Sequence, residues 1–529
     1  VSKRFLAWLF AVSAVLRLAF VWVAPAWYDE NFSLILSRLP LGQMLAATAG
    51  DVHPPLYYLL IWPLGQLHAP IWALRIPGAL LSLASVWLFW RILQAFELRP
   101  HVQAAALVLM AIMPIQLYYA QEARMYSLLE FLVLAACLAM LRRRWAWFGL
   151  ACGLMLYTQY YAIFYIAALG LVALIRARWI EKYPFGPDYP LGFAVSIEEY
   201  RKFFLSLALA GLAFLPWVIV LQNQMHTLSG NYWMQLTGVG MLPRVLFEIL
   251  FMPPGNAVTQ IPLMLACFTW VVGALLYASL HRPNNLGSIV WLAFLPFALA
   301  ILVSLVWQPV LHYRPLIGIS PFLYILLALP VEALFEFTIT YKFKFFRSIF
   351  GGSDWSGKHR PYGIQRLDKR AIEPNLRKSL MAAIFLVPLL LVTDGSMYVY
   401  ARQNKTSGAT RAVAYIQAHW QPGDIVYHYG DDSWVNTVPY NDLPNYKAPD
   451  CAPTLGGLSA ATRAAIGMQI RPLSALTYRR AWLLWSDGPL EPTCDMAQLT
   501  SLGLDPHKPI LPLTVDEYYF EGLWLLEGK

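Results

Sequence analysis

Two adjacent carboxylates, Asp29 and Glu30 in Trp27-Tyr28-Asp29-Glu30, follow directly on the first hydrophobic segment of the chain. Ionised groups are costly in hydrocarbon and cheap at its boundary with water, so acids here mark a membrane exit. A carboxylate pair held at such an exit can work on a substrate that arrives from lipid on one side and water on the other. The plainer reading is that both acids cap a helix over 31–39, whose N-terminal end favours negative charge. Three further groups have chemistry to offer. His53 sits in Asp51-Val52-His53-Pro54-Pro55-Leu56-Tyr57-Tyr58, where the double proline fixes an extended turn. Glu122 and Arg124 lie in Tyr118-Tyr119-Ala120-Gln121-Glu122-Ala123-Arg124-Met125-Tyr126, and the arginine is a planar fork suited to phosphate oxygens. His312, Tyr313 and Arg314 lie in Trp307-Gln308-Pro309-Val310-Leu311-His312-Tyr313-Arg314-Pro315. The plain alternatives are a hydrogen-bonded turn histidine, a belt of interfacial tyrosines and a surface arginine near lipid headgroups.

The elements that must position these groups are membrane helices. The chain is 58% hydrophobic and 13% charged, about half the charged fraction of a soluble protein. Its net charge of +9 is no nucleic-acid signal, because Lys and Arg collect in alternate loops as the positive-inside rule requires of cytoplasmic segments. Apolar runs at 5–24, 71–93, 102–119, 125–141, 145–158, 160–176, 203–221, 259–280, 287–307, 316–336 and 379–398 predict about eleven spans. The first run is too long for a signal-peptide core and reads as an uncleaved helix with a cytoplasmic N-terminus. Arg142-Arg143-Arg144, the 176–202 loop and the basic 337–378 loop then fall inside, while Asp29, Glu30, Glu122 and the C-terminal tail fall outside. The external loop 25–70 predicts amphipathic helices over 31–39 and 41–47, separated by Pro40. Arg17, deep in the first span, asks for a buried partner, and Glu130 in the fourth is a candidate.

Residues 399–529 have the composition of a soluble domain. A helical period over 409–420 and strand patterns over 425–429, 481–485 and 518–526 predict a small external α/β domain beside a membrane module of residues 1–398. In an oxidising compartment Cys451 and Cys494 have the option of a disulfide. The loop at 222–236 carries His226, Asn231, Tyr232 and Trp233, groups that suit a sugar or an interfacial belt equally.

The motifs Tyr28-Asp29-Glu30, Asp51 to Tyr58 and Gln121 to Tyr126, in this order and separated by these spans, resemble the GT-C membrane glycosyltransferases. The likeness is greatest to the bacterial branch related to protein O-mannosyltransferases and lipid A aminoarabinose transferases, and it covers about the first 170 residues; the later spans agree in layout only. It implies a polyprenyl-phosphate-linked sugar donor, inverting transfer to a lipid, glycan or protein acceptor on the external face of a bacterial inner membrane, and Asp29 as catalytic carboxylate beside Glu30. His53, Tyr57, Tyr58, Glu122, Arg124, Tyr126, His312, Tyr313 and Arg314 would bind substrate. No cofactor is required; a divalent metal on Asp29 and Glu122 is an option, though no ligand spacing demands it. Alternatives are a lipid-linked glycan polymerase or ligase and a flippase or transporter. The latter class places polar groups at the membrane midplane, often in two repeated halves. Here the charges lie at one face and no repeat is visible. An external binding module on a membrane anchor needs fewer spans than these.

Overall fold

The computed structural model describes residues 1–19, 21–22, 26–182, 197–228, 241–251, 257–281, 285–332, 407–450, 458–487, 494–505, 508–516 and 519–528. The predicted span at 379–398, the basic 337–378 loop, the boundary between 398 and 399, residues 229–240 and Cys451 lie outside them, as does the side chain of Cys494. The chain is mostly helical. Helices α1 (Lys3–Leu18), α2 (Tyr28–Arg38), α3 (Leu41–Gly50), α4 (Leu56–Gln66) and α5 (Ile71–Ala95) are followed by α6 (Pro100–Ile112), α7 (Pro114–Ala120), α8 (Tyr126–Leu141), α9 (Trp145–Leu156) and α10 (Ala162–Lys182). Then come α11 (Ile197–Leu228), α12 (Met241–Phe251), α13 (Ala257–His281), α14 (Leu286–Val306), a 3-10 turn over Arg314–Ile319, and α15 (Ser320–Ala328).

The apolar runs do not map one to one onto membrane-length helices. Among the described residues Ile71–Ala95, Glu198–Met225 and Leu286–Val306 are long and apolar enough to cross, and α6 with α7 makes a fourth if a 48° bend is counted within one span. Other apolar runs form helices of 10–17 residues. The bend has a local cause. Pro114 has no N–H to give the carbonyl of Met110 one turn back. Arg17 supplies the missing donor: its Nη2 lies 2.9 Å from the Met110 oxygen, its Nη1 3.1 Å from that of Ala111, and its Nε 2.9 Å from Ser82 Oγ. This corrects the expected pairing of Arg17 with Glu130. That carboxylate instead accepts from Gln116 Nε2 at 2.6 Å. A buried guanidinium here completes a broken helix end rather than an ion pair.

Helices α2, α3 and α4 fill the segment where two amphipathic helices were expected, with Pro40 between α2 and α3. The carbonyls that α2 leaves open at its C-terminal end are met from α4: Trp62 Nε1 donates to Leu39 and Gln66 Nε2 to Ser37 and Leu39, all at 3.0 Å. The crossing is close enough to need a glycine, since a Cβ at Gly65 would stand 2.2 Å from the Ser37 carbonyl oxygen.

Beyond residue 406 the chain forms a five-stranded mixed sheet. Its strands are β1 (Asp424–His428), β2 (Asn445–Lys447), β3 (Arg480–Asp487), β4 (Leu511–Asp516) and β5 (Tyr519–Glu527), in the order β2-β1-β3-β5-β4. The β1 pairings are parallel and the β5 pairings antiparallel. Strand alternation buries both faces: Tyr427, Leu483 and Trp485 on one, Val426, Trp482 and Leu484 against helix α16 (Ser407–His419) on the other. Helix α17 (Asp431–Thr437) docks this unit on α2. Asn436 Oδ1 accepts from Asn31 Nδ2 at 2.9 Å, Tyr440 OH donates to Asn31 Oδ1 at 2.6 Å, and Arg38 Nη1 donates to the Pro439 carbonyl at 3.0 Å. Trp434 and Val435 join the same apolar cluster as the helices of the first half.

Candidate active site

Asp29 and Glu30 occupy the first turn of α2, where the helix end favours negative charge. Consecutive helical residues diverge by about 100°, and the two carboxylates part company accordingly. Glu30 is fully buried. Its two oxygens take a bidentate pair from Arg75 on α5, both at 2.8 Å, and Oε1 also accepts the Ala123 N–H at 2.9 Å. Arg75 Nη1 reaches the Val21 carbonyl at 2.7 Å. Expected beside Asp29 as a catalytic carboxylate, Glu30 has its oxygens on Arg75 and the Ala123 amide within the core.

Asp29 faces the other way, with its side chain 20% exposed. Two arginines from distant segments converge on it. Arg314 Nη1 lies 3.1 Å from Oδ2, and Arg124 Nε lies 3.8 Å from the same oxygen. The Arg314 guanidinium carbon lies over the Trp27 ring, 4.6 Å from its centroid, a cation–π contact. Arg124 Nη1 is 3.4 Å from the Asp29 carbonyl and 3.3 Å from the Tyr58 hydroxyl, and its Nη2 is 3.3 Å from His53 Nε2. A guanidinium only donates, so His53 Nε2 accepts; the ring proton then sits on Nδ1 and is donated to Asp51 Oδ2 at 3.0 Å. Asp51, His53, Arg124 and Asp29 thus form one chain of polar contacts.

His312 accepts the Arg314 backbone N–H on Nδ1 at 3.3 Å and stacks on Tyr313. Burial, followed by the nearby Arg314 charge, pushes its pKa down to about 3, so it is a neutral acceptor at ordinary pH. Tyr126 is buried with its ring 4.6 Å from that of Tyr119, and Tyr57 is buried against Tyr58. Glu122 is fully buried and hydrogen-bonds Tyr118. Of the residues singled out from sequence, Asp29, His53, Tyr58, Arg124 and Arg314 meet in direct contact. Tyr57 and Tyr126 back them, and His312 and Tyr313 shape the turn that carries Arg314.

Two residues in this network were not in the sequence-derived set. Asp51 could have been found from its place two residues before His53. Arg75 gave no pattern of its own, since a lone arginine near a helix end reads as one that reaches for the interface. Among the described residues no group of three or more His, Cys, Asp or Glu is placed to hold a metal ion, and Asp29 Oδ2 faces two guanidinium groups.

Residues 52–186 match the family model for dolichyl-phosphate-mannose-protein mannosyltransferase. The fold is similar to that of ArnT from Cupriavidus metallidurans in the apo state, at 12% identity over 98% of each chain with a TM-score of 0.55. It is also similar to ArnT from the same organism bound to undecaprenyl phosphate, at 12% identity over 99% of this chain and 98% of that one, with a TM-score of 0.50. At such identities the likeness is one of fold. No curated protein sequence matches the chain.

Proposed function

Starting from a chain related to the GT-C glycosyltransferases by a family segment and by fold, we propose that it is an inverting glycosyltransferase. It moves one sugar from a polyprenyl-phosphate donor to a hydroxyl of a lipid, glycan or protein acceptor. The observation that carries the reading is the convergence of Arg124 and Arg314 on the partly exposed carboxylate of Asp29. Support for the donor class comes from the relative of the same fold that binds undecaprenyl phosphate.

In this reading the donor phosphate enters between the two guanidinium groups and takes over their hydrogen bonds. Charge-assisted bonds from two forks stabilise the phosphate as it leaves. Asp29, relieved of its counter-ions, becomes a competent base. The acceptor oxygen attacks the anomeric carbon and its proton passes to an Asp29 oxygen. The bond from that carbon to the phosphate oxygen breaks with its electron pair, leaving polyprenyl phosphate. One displacement inverts the anomeric configuration. No step passes through a metal. The site faces the outside of a bacterial inner membrane, and residues 399–529 form an external domain beside the membrane module 1–398.

The test is transfer by reconstituted protein from radiolabelled polyprenyl-phosphate sugars to a cell-envelope acceptor mixture, with wild type run against Asp29→Asn. Label moved by wild type and not by the variant supports the assignment. Equal transfer by both removes Asp29 as base. Movement of labelled lipid across the bilayer without transfer points to a flippase, and transfer of whole glycans to a ligase.

A further inference from the structure

Glu30 and Ala123 are bonded to each other, and each stands next in sequence to a group of the proposed site: Asp29 precedes Glu30 and Arg124 follows Ala123. The Glu30–Ala123 contact at 2.9 Å thus ties the backbone on either side of the direct Asp29–Arg124 contacts. Arg75 is what holds it. Its fork grips both Glu30 oxygens at 2.8 Å, and Nη1 grips the Val21 carbonyl at 2.7 Å. One side chain on α5 thus fixes the start of α2, the stretch that leads into it, and, through Glu30, the loop before α8. The loop lies close on the same face of α5 one turn later: a Cβ at Gly78 would stand 3.2 Å from the Glu122 carbonyl oxygen and 3.5 Å from that of Ala120. Arg75 itself is 1% exposed.

We infer that Arg75, acting through Glu30, is a positioning residue that sets the separation of Asp29 from Arg124. The inference rests on the function proposed above. A guanidinium is needed for the task, because an ammonium cannot make the two parallel bonds. Misplacement of reacting groups by about 1 Å costs about a hundredfold in rate, and that loss falls on turnover. Donor capture is less affected, because the backbone that carries Arg314 follows α14 and is separate from α2 and the loop before α8.

The experiment measures kcat and KM for the donor in wild type, Arg75→Lys and Glu30→Gln, on purified full-length protein in lipid. Wild type that transfers nothing removes the proposed function, and this inference falls with it. With an active wild type, Arg75→Lys is expected to lose about thirty- to a hundredfold in kcat with donor KM within about threefold. Glu30→Gln keeps an acceptor for the Ala123 amide but loses one for Arg75, and is expected to behave likewise; it carries the test if Arg75→Lys does not fold. Unchanged kcat, or a rise in KM with kcat retained, overturns the inference. A purely structural role would lower the amount of active enzyme and leave the pH profile of the remainder in place. A displaced base shifts the acid limb of that profile.

Discussion

Asp29 and Glu30 are chemical near-equals one residue apart, yet the regions around them are built on opposite lines. Beneath α2, Glu30 meets one arginine in a bidentate fork plus an amide, in a region without solvent. Above α2, Asp29 meets two arginines through one oxygen, at 3.1 and 3.8 Å, with a fifth of its side chain open. A closed, fully bonded pair is committed to structure. A loose, partly exposed cluster with two guanidinium groups on one carboxylate oxygen has donors that a further anion can engage. In this chain, burial and bonding geometry distinguish the two carboxylates where residue type and spacing do not; under the proposed function the open one is the base.

The contrast can be broken by experiment. The largest expected effect is on chemistry: Asp29→Asn should lower transfer by about 10²–10⁴ while thermal unfolding in detergent stays near that of wild type. The reverse is expected of the buried carboxylate. Glu30→Ala leaves Arg75 without its counter-charge and should cost about 3–5 kcal/mol of stability, read as a large fall in the unfolding midpoint. If Asp29→Asn destabilised more than Glu30→Ala, the division between the two regions would be wrong. A middle-sized effect is expected at the cations. Arg314→Ala or Arg124→Ala removes a charged hydrogen bond worth about 1.5–3 kcal/mol, so binding of polyprenyl phosphate should weaken by about ten- to a hundredfold; donor affinity equal to wild type would remove the phosphate role. The smallest is at the docked sheet unit. Asn436→Ala deletes a neutral hydrogen bond to Asn31 worth about 1 kcal/mol, and should lower stability by that order with transfer nearly intact.

Much of the upper region was legible in the sequence because its parts sit in short motifs. Tyr28-Asp29-Glu30, Asp51 to Tyr58 and Gln121 to Tyr126 each place a charge at a turn where a plain loop needs none. The lower region was not legible. Arg75 is a single cation in an apolar helix, and its partner lies 45 residues away. Nothing in spacing distinguishes Glu30 from Asp29; only the rotation of the helix does. Element type was readable from apolar periodicity, as in the helix at 31–39 and in the strands around Val426 and Leu483. Helix lengths were not, because Pro114 and the partner that repairs it, Arg17, are nearly a hundred residues apart. The contact of Asn31 with Asn436, 405 residues along the chain, is set by docking that no local pattern records.

That last contact has a practical consequence. Asn31 is the third of three successive residues on α2, after Asp29 with its arginines and Glu30 with its clasp, and its side chain belongs to the C-terminal sheet unit. Exchanging residues 407–528 for the equivalent part of a relative is thus no modular swap. The incoming segment would need its own match for Asn31 and for Arg38, or the first turn of α2 would be left wet on its outer side. A chimaera designed to graft a new acceptor preference should carry α2 and the 431–440 segment together, as a single cassette.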